Sequence, residues 1–153
     1  AYVEIDTLLA KYNFCIDLNE AMVKKSENVR LTLNQKAKEL DKQKQEFQTK
    51  YQNNAYLSQE RAQQEYNRIA KLEQDLQALS NKLQSELMSE NDKNSLQLRD
   101  SINAFLKEYN KTKGYSLIIS NTGFDNLLYA DSVYNITKEI LDGLNARYSS
   151  PKK

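Results

Sequence analysis

Histidine and tryptophan are absent from this chain of 153 residues, which carries one cysteine, one proline and three glycines. Each absence excludes something. Without histidine the chain lacks the commonest general base, the commonest metal ligand and the usual partner of a serine nucleophile. A lone Cys15 rules out an internal disulfide and a cysteine-based metal cluster, and reads as a small buried apolar side chain on the first long helix. Glycine and proline are the usual turn residues, so their near absence between Asn13 and Thr112 argues for very long helices. Nowhere does an apolar run approach the ~20 residues that span a bilayer.

Charge is also nearly missing as a net quantity. Twenty-two Lys and Arg stand against twenty-one Asp and Glu, a formal charge of +1. That balance gives no strong pull toward nucleic acid, which is not an expected partner, and membrane-surface contact is expected to be weak. What the chain has is charge of both signs, 28% of residues, and ten tyrosines spaced among Leu, Ile and Phe. A mean hydropathy of -0.81 is low enough for disorder, but the spaced apolar residues leave surface to bury.

Tyr2-Val3-Glu4-Ile5-Asp6 alternates as a short strand does, and Asp6 or Thr7 can cap a helical turn through Leu8, Leu9 and Tyr12. Asn13 is a local break. From Phe14 to Gln52, Leu18, Met22, Val29, Leu33, Ala37, Leu40, Phe47 and Tyr51 recur at helical spacing, forming one apolar stripe on a polar rod. Ser26 and Lys44 interrupt it and its register shifts near Ala37, so the seam is looser than a strict heptad. Gln52-Asn53-Asn54-Ala55-Tyr56-Leu57-Ser58 is the expected reversal, since paired Asn suits left-handed backbone and Ser58 suits a helix start. Asn53, Asn54, Tyr56, Leu57 and Ser58 thus form the tip of a hairpin.

A second stripe runs through Tyr66, Ile69, Leu72, Leu76, Leu79, Leu83 and Leu87, and resumes at Leu98, Ile102, Phe105 and Tyr109. The polar stretch from Ser89 to Asn94 between them is either a break or a weak, bendable part of one helix. Gly114 stands where a C-terminal cap belongs. The continuous apolar run Ser116-Leu117-Ile118-Ile119-Ser120 reads as a strand covered on both faces. Asn121-Thr122-Gly123 is turn chemistry, and Asn126-Leu127-Leu128-Tyr129-Ala130 reads as an antiparallel return strand. Asn135 then caps a last amphipathic helix bearing Ile136, Ile140, Leu141, Leu144 and Tyr148, which ends before Pro151.

The expected fold is therefore mainly α with a small β part. Residues 14–112 form a long antiparallel helical hairpin, and residues 1–13 and 113–153 form a β-stranded body. Three short strands expose edges and cannot bury both faces within one chain, so closure into a small barrel by oligomerisation is expected. Val3, Ile5, Leu117, Ile119, Leu127 and Tyr129 are the candidate oligomer core. The Lys-rich stretch from Lys36 to Lys44, diluted by Glu39 and Asp41, reads as a solvated helix face. Asn110-Lys111-Thr112 and Asn135-Ile136-Thr137 match the glycosylation pattern but sit at helix ends, where Asn and Thr have local work. Calcium-loop spacing and a phosphate-cradling glycine loop are both missing. With no catalytic constellation, an enzyme is not expected, nor a cofactor or metal.

Several stretches resemble the Skp family, also called OmpH-like periplasmic chaperones. They are Ala1-Tyr2-Val3-Glu4-Ile5-Asp6-Thr7-Leu8-Leu9, the tip from Gln52 to Ser58, Gly114-Tyr115-Ser116-Leu117-Ile118-Ile119, Leu127-Leu128-Tyr129-Ala130-Asp131 and Asn135-Ile136-Thr137-Lys138-Glu139-Ile140-Leu141. The likeness covers essentially the whole chain and looks closest to members from Bacteroidetes. It implies a homotrimer with three helical tentacles on a β-barrel body, holding unfolded outer-membrane proteins in the periplasm without ATP. It also implies a signal peptide removed upstream of Ala1. The best-known members are strongly basic and this chain is not, which weighs against electrostatic capture of clients or lipopolysaccharide. The alternatives are a structural coiled-coil scaffold and an envelope lipid-binding protein.

Overall fold

The computed structural model describes residues 1–123 and 127–149. Its elements in chain order are β1 (Tyr2–Glu4), α1 (Ile5–Lys11), α2 (Asn13–Gln52), α3 (Gln59–Lys113), β2 (Ile119–Asn121), a 3-10 turn (Ser132–Tyr134) and α4 (Thr137–Arg147). Two compact units result. One joins Ala1–Met22 to the chain from Asn91 onward, and the other is Val23–Glu90.

In the second unit α2 and α3 pack antiparallel. Phe47 meets Tyr66 with ring centroids 6.2 Å apart, Lys44 pairs with Glu73 at 2.9 Å, and Lys25 pairs with Glu90. Advancing along α2 thus retreats along α3, as a hairpin requires. These ion pairs are exposed, so they fix register more than they stabilise. The seam is closed by Leu40, Ala62 and Ile69, all buried. At the reversal Asn54 takes a left-handed φ of 52°, which Asn tolerates better than most residues. Ser58 starts α3, its hydroxyl accepting the Arg61 N–H at 3.2 Å. Helix α3 then runs unbroken through the polar stretch 89–94, where the Ser95 hydroxyl donates back to the Asn91 carbonyl at 3.1 Å.

The first unit has the larger core. Val3, Leu8, Tyr12, Cys15, Ile102, Ile136, Ile140 and Leu144 are buried together, with Phe14, Phe105 and Leu106 packed on them. Cys15 is a buried free thiol, as its apolar reading anticipates, and burial raises its pKa. The expected break before α2 falls at Tyr12, whose φ and ψ of -75° and 116° leave the helix.

The β structure departs from expectation in three ways. First, β1 ends at Glu4, and Ile5 opens α1 instead of extending the strand. This helical start turns Leu8 fully into the core, and the cap is Glu4, not Asp6 or Thr7. Second, β2 is not covered on both faces, since Ile119 and Ser120 are exposed. It pairs with β1 in parallel, Tyr2 opposite Ile119 and Glu4 opposite Asn121. Parallel pairing needs a long crossover, and the helical hairpin supplies it. Third, residues 127–130 form no strand. The second edge of β1 is taken by Asn135, which bridges Tyr2 in parallel while Ile136 N–H donates to the Tyr2 carbonyl at 3.0 Å. Asn126 and Pro151, where the return strand was to start and the last helix to end, lie outside the described residues.

Candidate functional site

Three side-chain amides shape the hub around its helix ends. Asn145 of α4 spans the gap between α1 and α2, its Oδ1 accepting the Asn13 N–H at 2.8 Å and its Nδ2 donating to the Lys11 carbonyl at 3.2 Å. Asn110 does the same where α3 ends, accepting the Tyr115 N–H at 2.7 Å and donating to the Tyr115 carbonyl at 2.9 Å. Gly114 between them takes the left-handed φ of 69° that lets the chain leave the helix. The N-cap position of α4 is Ile136, not Asn135 as expected, but Asn135 just before it accepts from both the N–H and the hydroxyl of Thr137 at 3.1 and 2.6 Å. The Thr137 hydroxyl in turn accepts the Glu4 N–H at 2.8 Å, tying the end of β1 to α4. Both glycosylation-like asparagines are thus occupied by local hydrogen bonds.

Two tyrosines clamp the same unit. The Tyr148 hydroxyl donates to the Asp17 carboxylate at 2.9 Å, and the Tyr109 hydroxyl donates to Glu139. Burial, followed by the neighbouring carboxylate, pushes the Tyr148 pKa up to about 12. The same causes raise that of Tyr109 well above the usual phenol range. The Tyr148 hydrogen bond ties the end of α4 to α2, and that of Tyr109 ties α3 to α4.

The candidate oligomer residues fall into two groups. Val3 is 4% exposed and sits in the chain's own core, with Ile5 packed against it. Leu117, Ile119 and Tyr129 face outward, Leu117 at 69% and Tyr129 at 85% exposure, while Leu127 is half-buried. Leu128, Val133 and Tyr134 are also exposed. Among the described residues β2 pairs on one edge only, which leaves its other edge open. A single chain therefore presents large apolar side chains next to unpaired backbone, the usual signature of a surface meant to be covered.

At the tip, Tyr56 packs on Phe47 at 5.7 Å between ring centroids, while Leu57 stands 87% exposed. Asn53 N–H donates to the Thr49 carbonyl at 3.0 Å, closing the end of α2. In the Val23–Glu90 unit Val23, Leu31 and Met88 are exposed and apolar, as is Leu96 in the other unit. Sequence reasoning missed Asn145, Thr137 and Ala62. Asn145 and Thr137 act across more than a hundred residues of separation, and Ala62 lies between the reversal and Tyr66, where the second stripe was taken to begin. Among the described residues no helix is long and apolar enough to cross a membrane, and no cluster of metal-ligating side chains occurs.

The family model described as outer membrane protein (OmpH-like) matches residues 1–144. No curated protein matches the chain. Among solved structures, the fold is similar to a protein from Caulobacter crescentus described as a candidate outer membrane chaperone (OmpH-like). The TM-score is 0.86 at 12% identity, covering 100% of this chain and 87% of that one. At that identity the likeness speaks for the fold, and the family follows from the match across nearly the whole sequence: this chain belongs to the OmpH-like outer membrane protein family.

Proposed function

We propose that the chain is an ATP-independent periplasmic holdase, which as a homotrimer binds unfolded outer-membrane proteins between its helical arms and prevents their aggregation. Family membership supports a chaperone role, and the description of the Caulobacter protein points the same way. The observation that carries the reading is the pairing of an uncovered apolar hub with arms of single apolar stripes. Leu117, Ile119, Leu127 and Tyr129 build the contact between copies, backed by Val3 and Ile5 from each subunit's own core. The arms offer scattered exposed side chains such as Val23, Leu31 and Met88, which give weak contacts that add when several arms hold one client. Weak, additive contacts release a client without ATP. Near-neutral charge makes this capture apolar, with little salt dependence.

The test is dilution of a urea-unfolded outer-membrane barrel into excess protein, followed by light scattering. Suppressed aggregation at both low and high salt is the expected result, and unchanged aggregation ends the holdase reading. Light scattering on the protein alone should give about three times the 17.8 kDa chain mass. A Leu117→Arg and Tyr129→Arg double variant should run as a folded single chain and lose most of the protection.

A further inference from the structure

Close to the reversal, α2 and α3 leave a notch of about 230 Å³ lined by Phe47, Tyr51, Gln59, Ala62, Gln63 and Tyr66. Its origin is legible in the seam. Ala62 is 6% exposed, and the positions that follow it at seven-residue spacing are Ile69, Leu76 and Leu83. Where Ile69 is buried in the seam by a branched side chain, Ala62 stops at its Cβ, and the notch is what remains.

Aromatic rings surround the vacancy. The Phe47 ring lies 5.9 Å from Tyr51, stacked, and 6.2 Å from Tyr66, tilted. Tyr51 and Tyr66 are 52% and 57% exposed, so each keeps an open ring surface. All six lining residues are uncharged in a chain of which 28% is charged. The chain from Tyr51 to Gln59 carries no charge either. An anionic occupant would lose its hydration and find no counter-charge in the lining, and a cation would set only ring faces against its own desolvation, whereas a flat neutral ring finds ring partners at the 4.5–7 Å spacing that aromatic pairs prefer. Space is sufficient, since an apolar cavity of about 150 Å³ already admits benzene.

We propose that this notch is a binding site for one aromatic side chain of an extended, unfolded polypeptide, the Gln59 and Gln63 amides offering hydrogen bonds to the backbone beside it. The proposal rests on the holdase reading and gives the arm tip a specific chemical preference within it. One ring in one notch is a weak contact, and three copies of the arm turn it into a useful one.

The experiment uses the full-length, isotope-labelled protein and a capped Gly-Ser-Tyr-Ser-Gly peptide, with Leu and Ala counterparts at the central position, observed by NMR. Expected are shifts confined to residues 47, 51 and 59–66, clearly weaker binding of the Leu peptide and none of the Ala peptide. Ala62→Leu fills the notch with a residue the seam accepts elsewhere. It should keep or raise the melting temperature while weakening the Tyr peptide about tenfold. Tyr51→Ser, at an exposed position, should weaken it without touching the seam. Equal binding to Ala62→Leu and wild type overturns the proposal, as do shifts located elsewhere. Shifts produced by neutral lipid vesicles in place of the peptide overturn it in favour of a membrane contact. The two readings fail separately. A protein that protects the urea-diluted barrel but ignores the peptide keeps the holdase and loses the notch, and the reverse result does the opposite.

Discussion

Gly143 lies against the ring of Phe105 so closely that a Cβ placed on it would stand 2.2 Å from the ring edge. Helix α4 reaches α3 at that point only because residue 143 has no side chain. Phe105 can withdraw only by giving up its stacking on Tyr109 at 6.1 Å and its place under the Arg147 guanidinium at 5.7 Å. Gly143→Ala gains about 1 kcal/mol of helix propensity and meets an overpacking cost of about 1–3 kcal/mol. Net destabilisation is expected, seen as a lower urea midpoint. Pairing it with Phe105→Leu should recover part of the loss, and two additive changes would show that the close approach is not the cause.

Among the described residues Asn145 is the one side chain that serves both exposed backbone groups at the α1–α2 break. Asn145→Ala leaves the Lys11 carbonyl and the Asn13 N–H to water, at a cost of about 0.5–1.5 kcal/mol. Asn145→Asp keeps the acceptor for Asn13 and loses the donor to Lys11, so its loss should be intermediate. Denaturant unfolding of the three proteins orders them, and an alanine variant as stable as wild type rules the amide out as the closure.

The long helices, their reversal and their caps were legible because each rests on local chemistry. Asn54 in a left-handed conformation, Gly114 at the end of α3 and Asn135 just before α4 do what their residue types do in any chain. Leu127, Leu128 and Tyr129 misled for a physical reason. Their side chains favour extended backbone, but propensity alone does not make a strand: both edges of β1 are occupied by β2 and Asn135, and residues 127–130 leave the remaining edge of β2 unpaired. Ile5 misled because alternation over five residues does not distinguish a strand from a strand running into a helix. The parallel order of β1 and β2 follows from the hairpin between them. What stayed hidden was contact across the chain, such as Asn145 on Asn13 and Gly143 on Phe105, which no local pattern encodes.

The tyrosine anchors predict an alkaline limit to stability. Tyr148 titrates at about 12 in the folded chain and near 10 when unfolded, the usual phenol value. A folded pKa above the unfolded one means that its stabilising contribution is complete below pH ~10 and is lost as pH rises to about 12. Tyr109 and Tyr12, both raised first by burial, act in the same direction. Melting temperature should therefore fall steeply above pH ~10. Tyr148→Phe should be less stable at neutral pH, through the lost hydrogen bond to Asp17, and show a shallower alkaline fall. An identical alkaline slope in the variant would remove Tyr148 from the account.

The arm contains a seam position filled by the wrong kind of residue. Gln43 sits between the helices beside a space of about 210 Å³ bordered by Leu40, Leu72, Leu76 and Leu79 and rimmed by Lys36, Glu39 and Asp75. Its carbonyl oxygen is buried without a partner in the chain, while its amide reaches Glu39 at 3.3 Å. A buried acceptor without a hydrogen bond costs about 1–3 kcal/mol, and the leucines around it lack an apolar partner. Gln43→Leu removes the acceptor and supplies that partner, so the arm should gain about 1–2 kcal/mol and exchange its amide hydrogens more slowly on both sides of residue 43. Gln43→Ala removes the same acceptor without filling the space and should gain less. If both variants match wild type in exchange rate, the oxygen already has its hydrogen bond and the space is no defect. If only the leucine variant is slower, filling the seam is what stiffens the arm, and comparing its protection of an unfolded barrel with that of wild type then tests whether a loosely packed arm serves client capture.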